Sequence, residues 1–527
     1  MKKQYSTFPG WGLALVAALL LWAAWPVSPL SFLVFFGFVP LLYLGTTTPS
    51  RRKFMLCTAL AMAVWNGLTT WWIWNASGIG MVAAVLVNTL VMLFPWFIYH
   101  FVLTRKGATW GGYAWLLAWL SMEYFHLQNW GLSWPWMTLG NVFATQPDWV
   151  QWYEITGTSG GSCWVLLVNL MLFRLLTAEA GFRRKSIAAA SAILLPLLFS
   201  FSLIQWRTGN RKQPARNVVV VQPNIDPYEE KFLAGTQEMQ IQQLIRLSES
   251  QIDENTALVI WPETAIPVQA WEEELKQNYF FYPVYDFLQR HPDVNLFTGI
   301  DGYRRLPKDA PKTLSARRLG ETDQYYEAFN SGALIHQDTS IQLYHKSRLV
   351  PGVEMIPSWL GFMASLAGEF GGIAGTYGSQ KERTVLGKED DFFKIAPSIC
   401  YESVYGEFMA TYARNGANII AIITNDGWWG NTPGYKQHMQ YARLRAIENR
   451  RWVARSANTG ISCFIDPLGK VYQPQPWDES SAIKQEIYPS ETLTFFSRFG
   501  DVLSKAALLL LAVLLIATFT IKNHALK

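Results

Sequence analysis

Residues 392–402 read FFKIAPSICYE, an apolar run that stops on Cys400 with Tyr401 and Glu402 directly behind it. A lone cysteine at the end of such a run is most simply a small buried hydrophobe. It also stands where layered α/β folds put active-site residues, just past the end of a strand. What the chain places at its other strand ends decides between the two readings.

Two further runs end in the same way. ALVIWPET (257–264) closes near Glu263, and IQLYHKSRL (341–349) carries Lys346. A cysteine attacks acyl carbons as the thiolate, so it needs a base or a nearby positive charge. A carboxylate such as Glu263 can accept the thiol proton and later relay one to or from the incoming nucleophile. An ammonium such as Lys346 can stabilise both the thiolate and the negative tetrahedral intermediate. The three are chemically sufficient for covalent acyl transfer. Taken singly, each also has a plain structural reading: a core thiol, a strand-end or helix-cap carboxylate, a solvent-facing lysine.

More runs of the same kind surround these three: NVVVVQPNI (217–225), NLFTGID (295–301), YEAFNSGALIH (326–336), NIIAIITND (418–426) and WVARSANTGISCFID (452–466). Helix-like stretches at 236–252, 271–290 and 435–450 separate some of them. Strands interleaved with helices predict an α/β domain with mostly buried strands, placed at 216–490 after a linker, RTGNRKQPAR, at 207–216.

The rest of the chain is different. The whole is 50% hydrophobic and only 16% charged, against about 25% charged in soluble proteins, and the deficit lies in residues 10–206. A membrane helix needs about 20 largely apolar residues. Candidates are roughly 10–25, 30–45, 54–74, 80–103, 109–127, 162–177, 186–206 and 503–520. Basic residues gather on alternate sides: Lys2 and Lys3, then Arg51, Arg52 and Lys53, then Arg105 and Lys106, then Arg183, Arg184 and Lys185. The loops near 75–78 and across 128–161 have none. By the positive-inside rule this predicts about seven helices in 1–206 with the N-terminus inside. The α/β domain then lies outside, and a last helix in 500–527 returns KNHALK to the cytoplasm. A cytoplasmic α/β domain is the alternative, and it breaks the charge pattern. MKKQ followed by an apolar stretch reads as a retained first helix, because no small-residue cleavage site stands out.

The net charge of +5 is modest, and its distribution is that of a membrane protein and not of a nucleic-acid binder. Cys57, Cys163, Cys400 and Cys463 show no metal-ligand spacing and no CxxC pair, so neither a metal site nor a disulfide framework is expected. Cys463 sits in an apolar strand-like run and reads as core, and Cys57 and Cys163 read as packing residues. Tryptophan is abundant, with 25 copies. WWIWN (71–75) and NWGLSWPWM (129–137) read as an interfacial aromatic belt. The 128–161 loop is expected on the outer membrane surface, shaping a lipid-facing mouth.

In this order WPET, YHKSRLVPGVE and SICYES resemble the Glu–Lys–Cys signatures of the nitrilase, or carbon–nitrogen hydrolase, superfamily, and 423–462 resembles its C-terminal half. Such a domain between seven helices and one narrows the resemblance to bacterial membrane enzymes that acylate lipoproteins. The resemblance implies an α-helical membrane bundle with an α/β four-layer αββα sandwich outside the inner membrane. It implies a ping-pong transfer without a cofactor. A membrane phospholipid gives its sn-1 acyl chain to Cys400 as a thioester, and the α-amino group of a diacylglyceryl-cysteine at an apolipoprotein's N-terminus takes it. Glu263 is then the general base, Lys346 the stabilising cation and Cys400 the nucleophile. Glu354 matches a second glutamate that supports them, and Tyr401, Glu402, Asn330 and Trp428 match positions that line or shape the pocket. Where the superfamily commonly has an aromatic–Gly pair before that glutamate, this chain has Gly352 and Val353. Partners are thus lipids, the bilayer and an apolipoprotein, with no nucleic acid, and a monomer is expected. Two other functions remain open at this stage: a membrane-anchored amide or nitrile hydrolase that uses water as acceptor, and a non-catalytic lipid-binding scaffold.

Overall fold

The computed structural model describes residues 9–178, 180–208, 214–310, 313–356 and 376–520. Lys2, Lys3, the centre of the expected linker and the KNHALK tail lie outside the described residues. The chain divides into two compact units: a helical one (Met1–Ile73, Ile79–Gly209, Phe499–Lys527) and an α/β one (Trp74–Gly78, Asn210–Arg498).

In the helical unit every expected apolar segment is helical, but the segments are not alike. Gly78–Lys106, Thr158–Leu176, Phe182–Thr208 and Val502–Thr520 are long and apolar enough to cross a membrane. Gly10–Ala24 has 15 residues, and 31–47 is broken into a 3-10 turn and two short helices. Arg51–Thr70 carries three basic residues in its first turn and buries Thr58, Asn66, Thr69 and Thr70. Ala108–His126 buries Ser121, Glu123 and His126. Pro196 inside Phe182–Thr208 has no N–H for the Ala192 carbonyl, and the indole Nε1 of Trp164 donates to it instead at 2.7 Å.

The core of this unit is aromatic. Phe38 packs against Trp65, Trp96, Trp115 and Trp119, with ring centroids 4.9–6.2 Å apart. The tryptophans of the expected belt are not alike. Trp71 and Trp74 are exposed, whereas Trp72 and Trp136 are fully buried. The 128–161 stretch packs inward over part of its length. It folds into 3-10 turns whose residues 135–144 are buried, anchored by Leu139 N donating to Glu123 Oε1 (2.8 Å), Gly140 N to Ser162 Oγ (3.0 Å) and Tyr153 Oη to the Gly140 carbonyl (2.8 Å).

The α/β unit holds two sheets. The larger uses β1 (Arg216–Gln222), β2 (Thr256–Ile260), β3 (Ile266–Trp271), β4 (Asn295–Arg305), β5 (Arg317–Arg318), β6 (Tyr325–Ile335), β7 (Ile341–His345) and β13 (Ser481–Ile487). Its order is β13-β1-β2-β4-β6-β5, with β3 on β4 and β7 on β6. The smaller has the order β12-β11-β10-β9-β8, made of β8 (Ile395–Ile399), β9 (Ile419–Thr424), β10 (Val453–Ala457), β11 (Cys463–Ile465) and β12 (Val471–Tyr472). The β8, β9 and β10 strands are parallel and buried along their whole length; the apolar run of β9 calls for this, whereas β10 buries Arg455 and Ser456 as well.

The sheets face each other through β1 and β10, where Ser456 Oγ donates to the Val221 carbonyl (2.7 Å) and Ser462 N to Gln222 Oε1 (3.0 Å). Helices Gln237–Glu249 and Tyr282–Arg290 cover the larger sheet through Ile241, Leu244, Phe287 and Leu288. Gly406–Arg414 and Pro433–Asn449 cover the smaller. The layers therefore run helix, sheet, sheet, helix. Two expected elements differ. The 452–466 run is two antiparallel strands parted by a turn in which Gly460 has φ +143°. Within 271–290 only Tyr282–Arg290 is α-helix, because Pro283 in its first turn starts it late.

Candidate active site

β2 and β3 lie end to end along one edge of β4. The residues between them leave the ladder, and Glu263 sits in that gap. Thr264 has φ +47°. Opposite, a Cβ on Gly299 would come within 2.4 Å of Thr264 N and 2.6 Å of Glu263 Cα, so only glycine fits. The Glu263 carboxylate is fully engaged. Oε1 accepts from Asn330 Nδ2 (2.7 Å) and Lys346 Nζ (3.2 Å), and Oε2 from the backbone N–H of Asn425 at the end of β9 (3.0 Å). Its backbone carbonyl accepts from Lys231 Nζ at 2.8 Å. Burial pushes the Lys231 ammonium down to about 8, although the Glu263 and Asp301 charges pull the other way.

Lys346 follows β7 and is 1% exposed. Its Nζ bridges two carboxylates, Glu263 Oε1 at 3.2 Å and Glu354 Oε1 at 2.7 Å. Burial works to lower its pKa, but Glu263, Glu354 and the Cys400 sulfur carry it well above the ordinary lysine value. Glu354 is fixed from behind by Val350 N on Oε2 (2.8 Å). The turn between them closes through Gly352, whose φ of +80° suits glycine and whose N–H reaches the Met355 carbonyl (2.8 Å). The Gly352–Val353 departure thus still delivers Glu354 to Lys346.

Cys400 follows β8 and opens a 3-10 turn, Cys400–Val404. Its φ is +51°, a strained value for a residue with a Cβ. Burial pushes its thiol pKa up and the Glu263 charge adds to this, against the pull of Lys346. The resting group is therefore a thiol that needs a base. Glu402 explains how the Cys400 and Lys346 loops stay in register. Its Oε1 accepts from Tyr344 Oη (2.6 Å), Ser347 N (2.6 Å) and Arg348 N (3.2 Å), and Oε2 accepts from Ile399 N (2.8 Å). One buried carboxylate thus ties the chain around the lysine to the chain before the cysteine. Tyr401 is buried, with its hydroxyl accepting from Tyr405 Oη at 2.9 Å and its ring edge-on to Tyr405.

On another side of Cys400 lies a charged network with no exposed member. Asp426 Oδ2 accepts from Arg455 Nη2 (2.6 Å), and Oδ1 from Thr424 Oγ1 (2.9 Å), with His438 Nδ1 at 3.0 Å. Burial alone would raise the Asp426 pKa, but Arg455 and His438 hold it down at about 2. Cys400, Asp426 and His438 are the one group among the described residues spaced to hold a metal ion. Asp426 already spends its oxygens on Arg455, Thr424 and His438, and a buried guanidinium stands beside it. The arrangement suits a hydrogen-bond network better than a cation.

The structure brings Glu263, Lys346, Glu354 and Asn330 into direct contact, with Cys400 electrostatically coupled to Glu263 and Lys346. Trp428 stands in the turn after β9, half-buried, its ring edge-on to Tyr228 and its carbonyl accepting from Tyr228 Oη (3.0 Å). Sequence reasoning missed Lys231, Tyr344, Asn425, Asp426, His438 and Arg455. ITND marked a strand end at Asp426, but nothing near it signals partners on a later helix and strand.

The chain belongs to the carbon–nitrogen hydrolase family, whose model matches residues 217–492. The model of the apolipoprotein N-acyltransferase N-terminal domain matches residues 17–171. Relatives named apolipoprotein N-acyltransferase include one from Chlorobaculum tepidum, 29% identical over 95% of this chain and 95% of that one. Another, from Geobacter metallireducens, is 26% identical over 97% of this chain and 95% of that one. Among solved structures, a nitrilase-superfamily member from Saccharomyces cerevisiae is 16% identical and covers 55% of this chain and 95% of its own, with a TM-score of 0.35.

Proposed function

We propose that the chain is an apolipoprotein N-acyltransferase, a membrane enzyme that moves an acyl chain from a phospholipid to a lipoprotein N-terminus through a thioester on Cys400. The observation that carries this reading is the buried bridge from Glu263 through Lys346 to Glu354, beside a thiol that burial keeps protonated. Glu263 takes the thiol proton as Sγ attacks the ester carbonyl of the phospholipid. Lys346 stabilises the resulting oxyanion. Collapse breaks the ester C–O bond, and Glu263 returns the proton to the leaving alkoxide, releasing lysophospholipid. The α-amino group of a diacylglyceryl-cysteine then attacks the thioester. The thiolate leaves and, through Glu263, regains a proton from the amine. Glu354 holds Lys346, Glu402 sets the distance between the lysine and cysteine loops, and Asn330, Tyr401 and Trp428 shape the pocket.

The bilayer reading is eight crossings, seven in 1–206 and one in 500–527, around a periplasmic 216–490 domain, with both termini cytoplasmic and a monomeric enzyme in the inner membrane. Four long apolar helices and the alternation of basic clusters support it.

The test is intact-mass measurement after incubation with phospholipid in detergent. Wild type gains one acyl mass that hydroxylamine removes, and loses it when an apolipoprotein acceptor is added. Cys400→Ala gains none. An acyl mass on Cys400→Ala, or N-acylated product from it at the normal rate, overturns the mechanism. Discharge to water alone favours a hydrolase.

A further inference from the structure

Glu263, Lys346 and Glu402 all address Cys400 from the strand ends of the larger sheet or from its own turn. None of them explains what keeps the nucleophile's backbone at φ +51°. The carbonyl of Cys400 has two neighbours. Ser403 Oγ donates to it at 2.9 Å, and His438 Nε2 lies 3.1 Å from it and 3.0 Å from Ser403 Oγ. His438 comes from helix Pro433–Asn449, a separate element packed beneath the turn. The other ring nitrogen, Nδ1, lies 3.0 Å from Asp426 Oδ1 and 3.1 Å from Arg455 Nη2, and Asp426 is paired through Oδ2 with Arg455 of β10; with Arg455 donating to Nδ1, the ring's N–H is on Nε2, facing the Cys400 carbonyl. His438, Asp426 and Arg455 are all 0% exposed. Thr424 Oγ1, from the end of β9, donates to Asp426 Oδ1 at 2.9 Å and so ties that strand into the same network.

We propose that His438 is a positioning residue for Cys400: it holds the nucleophile's carbonyl in the left-handed turn, with its ring fixed by the buried Asp426–Arg455 pair. The inference deepens the acyltransferase reading and rests on it for the reaction served. The physical argument is one of determinacy. A strained backbone persists only where its surroundings over-determine it. The Cys400 carbonyl is a site where one ring nitrogen and one hydroxyl converge, on a ring that cannot turn without abandoning a buried carboxylate. Three elements of the smaller sheet layer, β9, β10 and helix Pro433–Asn449, are thereby pinned to one peptide unit. The competing account is a buried histidine that fills volume and satisfies Asp426, with no consequence for the cysteine.

The two are separated by which nitrogen is kept. Gln places an amide nitrogen near the position of Nε2, and Asn places one near Nδ1. Two rates are measured on the full-length enzyme in detergent: iodoacetamide alkylation of Cys400, which needs no lipid chemistry, and single-turnover acylation from phospholipid. A displacement of about 1 Å at a reacting atom costs about 10²-fold. His438→Ala and His438→Asn should therefore slow both rates by about that factor, and His438→Gln should recover at least about tenfold of it. Equal rates in the Gln and Asn variants, or wild-type alkylation in either His438→Ala or His438→Asn, overturn the proposal. The Gln–Asn comparison serves even if the Ala variant does not fold. A wild type that alkylates readily but never takes an acyl group from phospholipid fails the acyltransferase reading instead, and leaves the positioning comparison intact.

Discussion

The largest side chains that each unit buries completely differ in kind. In the helical unit they are led by Trp65, Trp72, Trp96, Trp115, Trp119 and Trp136; in the α/β unit Arg445, Arg451 and Arg455 join a single tryptophan, Trp261. An indole fills about as much space as a guanidinium side chain and asks for a single hydrogen bond. A buried guanidinium asks for several, from carboxylates or carbonyls in fixed geometry. Arg451 meets the carbonyls of Ala417, Asn449 and Thr492, and Arg455 meets Ile461 and Asp426. The difference teaches what each core is for. Helices satisfy their own backbones, so the helical unit needs only volume and an occasional donor. The site residues of the α/β unit stand past strand ends, where the chain has left its ladder, and polar side chains must replace the lost ladder bonds.

Breaking the polar core should therefore cost both stability and rate, and the largest loss should come at Lys346. Lys346→Met leaves the Glu263 and Glu354 carboxylates facing each other without their shared cation. Uncompensated buried charge costs about 3–5 kcal/mol. Loss of the oxyanion partner should lower single-turnover acylation by about 10³-fold. Unfolding in detergent and acyl-enzyme formation by mass measure the two losses. A variant that keeps wild-type acylation removes Lys346 from the mechanism.

A smaller, intermediate loss is expected at Glu402→Gln. The amide keeps one oxygen but turns an NH2 group toward either Ile399 N or the Ser347 and Arg348 N–H groups, all of which now donate to the carboxylate. Hydrogen bonds to a charged acceptor contribute about 1.5–3 kcal/mol, so a destabilisation of about 3 kcal/mol is expected. Because the residue fixes the lysine loop against the cysteine strand, acylation per folded molecule should fall about 10–100-fold. Unchanged acylation in the folded fraction would make Glu402 a stability residue only.

How much of this was legible follows from the same contrast. Glu263, Lys346 and Cys400 stand at or near strand ends, a local signal that left each with a plain structural reading; the three motifs taken in order, through their resemblance to the carbon–nitrogen hydrolases, singled them out. Glu402 was visible as a neighbour of Cys400, but its work was not, since its donors sit more than fifty positions away at Tyr344, Ser347 and Arg348. Asp426 and His438 meet across a turn and a helix, and no spacing rule pairs them. β3 escaped notice because WPET reads as the end of a strand, not as a gap between two strands on one edge of β4. In the helical unit, tryptophans at segment ends look the same whether they face an interface or a core. Trp71 and Trp72 are neighbours in sequence, one exposed and one fully buried, and only packing separates them.

The smallest effect should come from the aromatic core, at a point where it resembles the polar core. Trp119 Nε1 donates to Glu123 Oε1 at 2.9 Å, and the same oxygen accepts from Leu139 N at 2.8 Å. Trp119→Phe keeps an aromatic ring against Phe38, Trp96 and Trp115 and removes one of those two donors. Since Leu139 N still satisfies the oxygen, the loss should be near that of one ordinary hydrogen bond, about 1 kcal/mol, read as a small drop in the unfolding midpoint in detergent. Acylation per folded molecule should not change, because no strand-end residue depends on that bond. If the rate falls along with the midpoint, the division of labour drawn between the two cores is wrong. The polar bonds of the helical unit would then bear on the acylation rate as well as on stability.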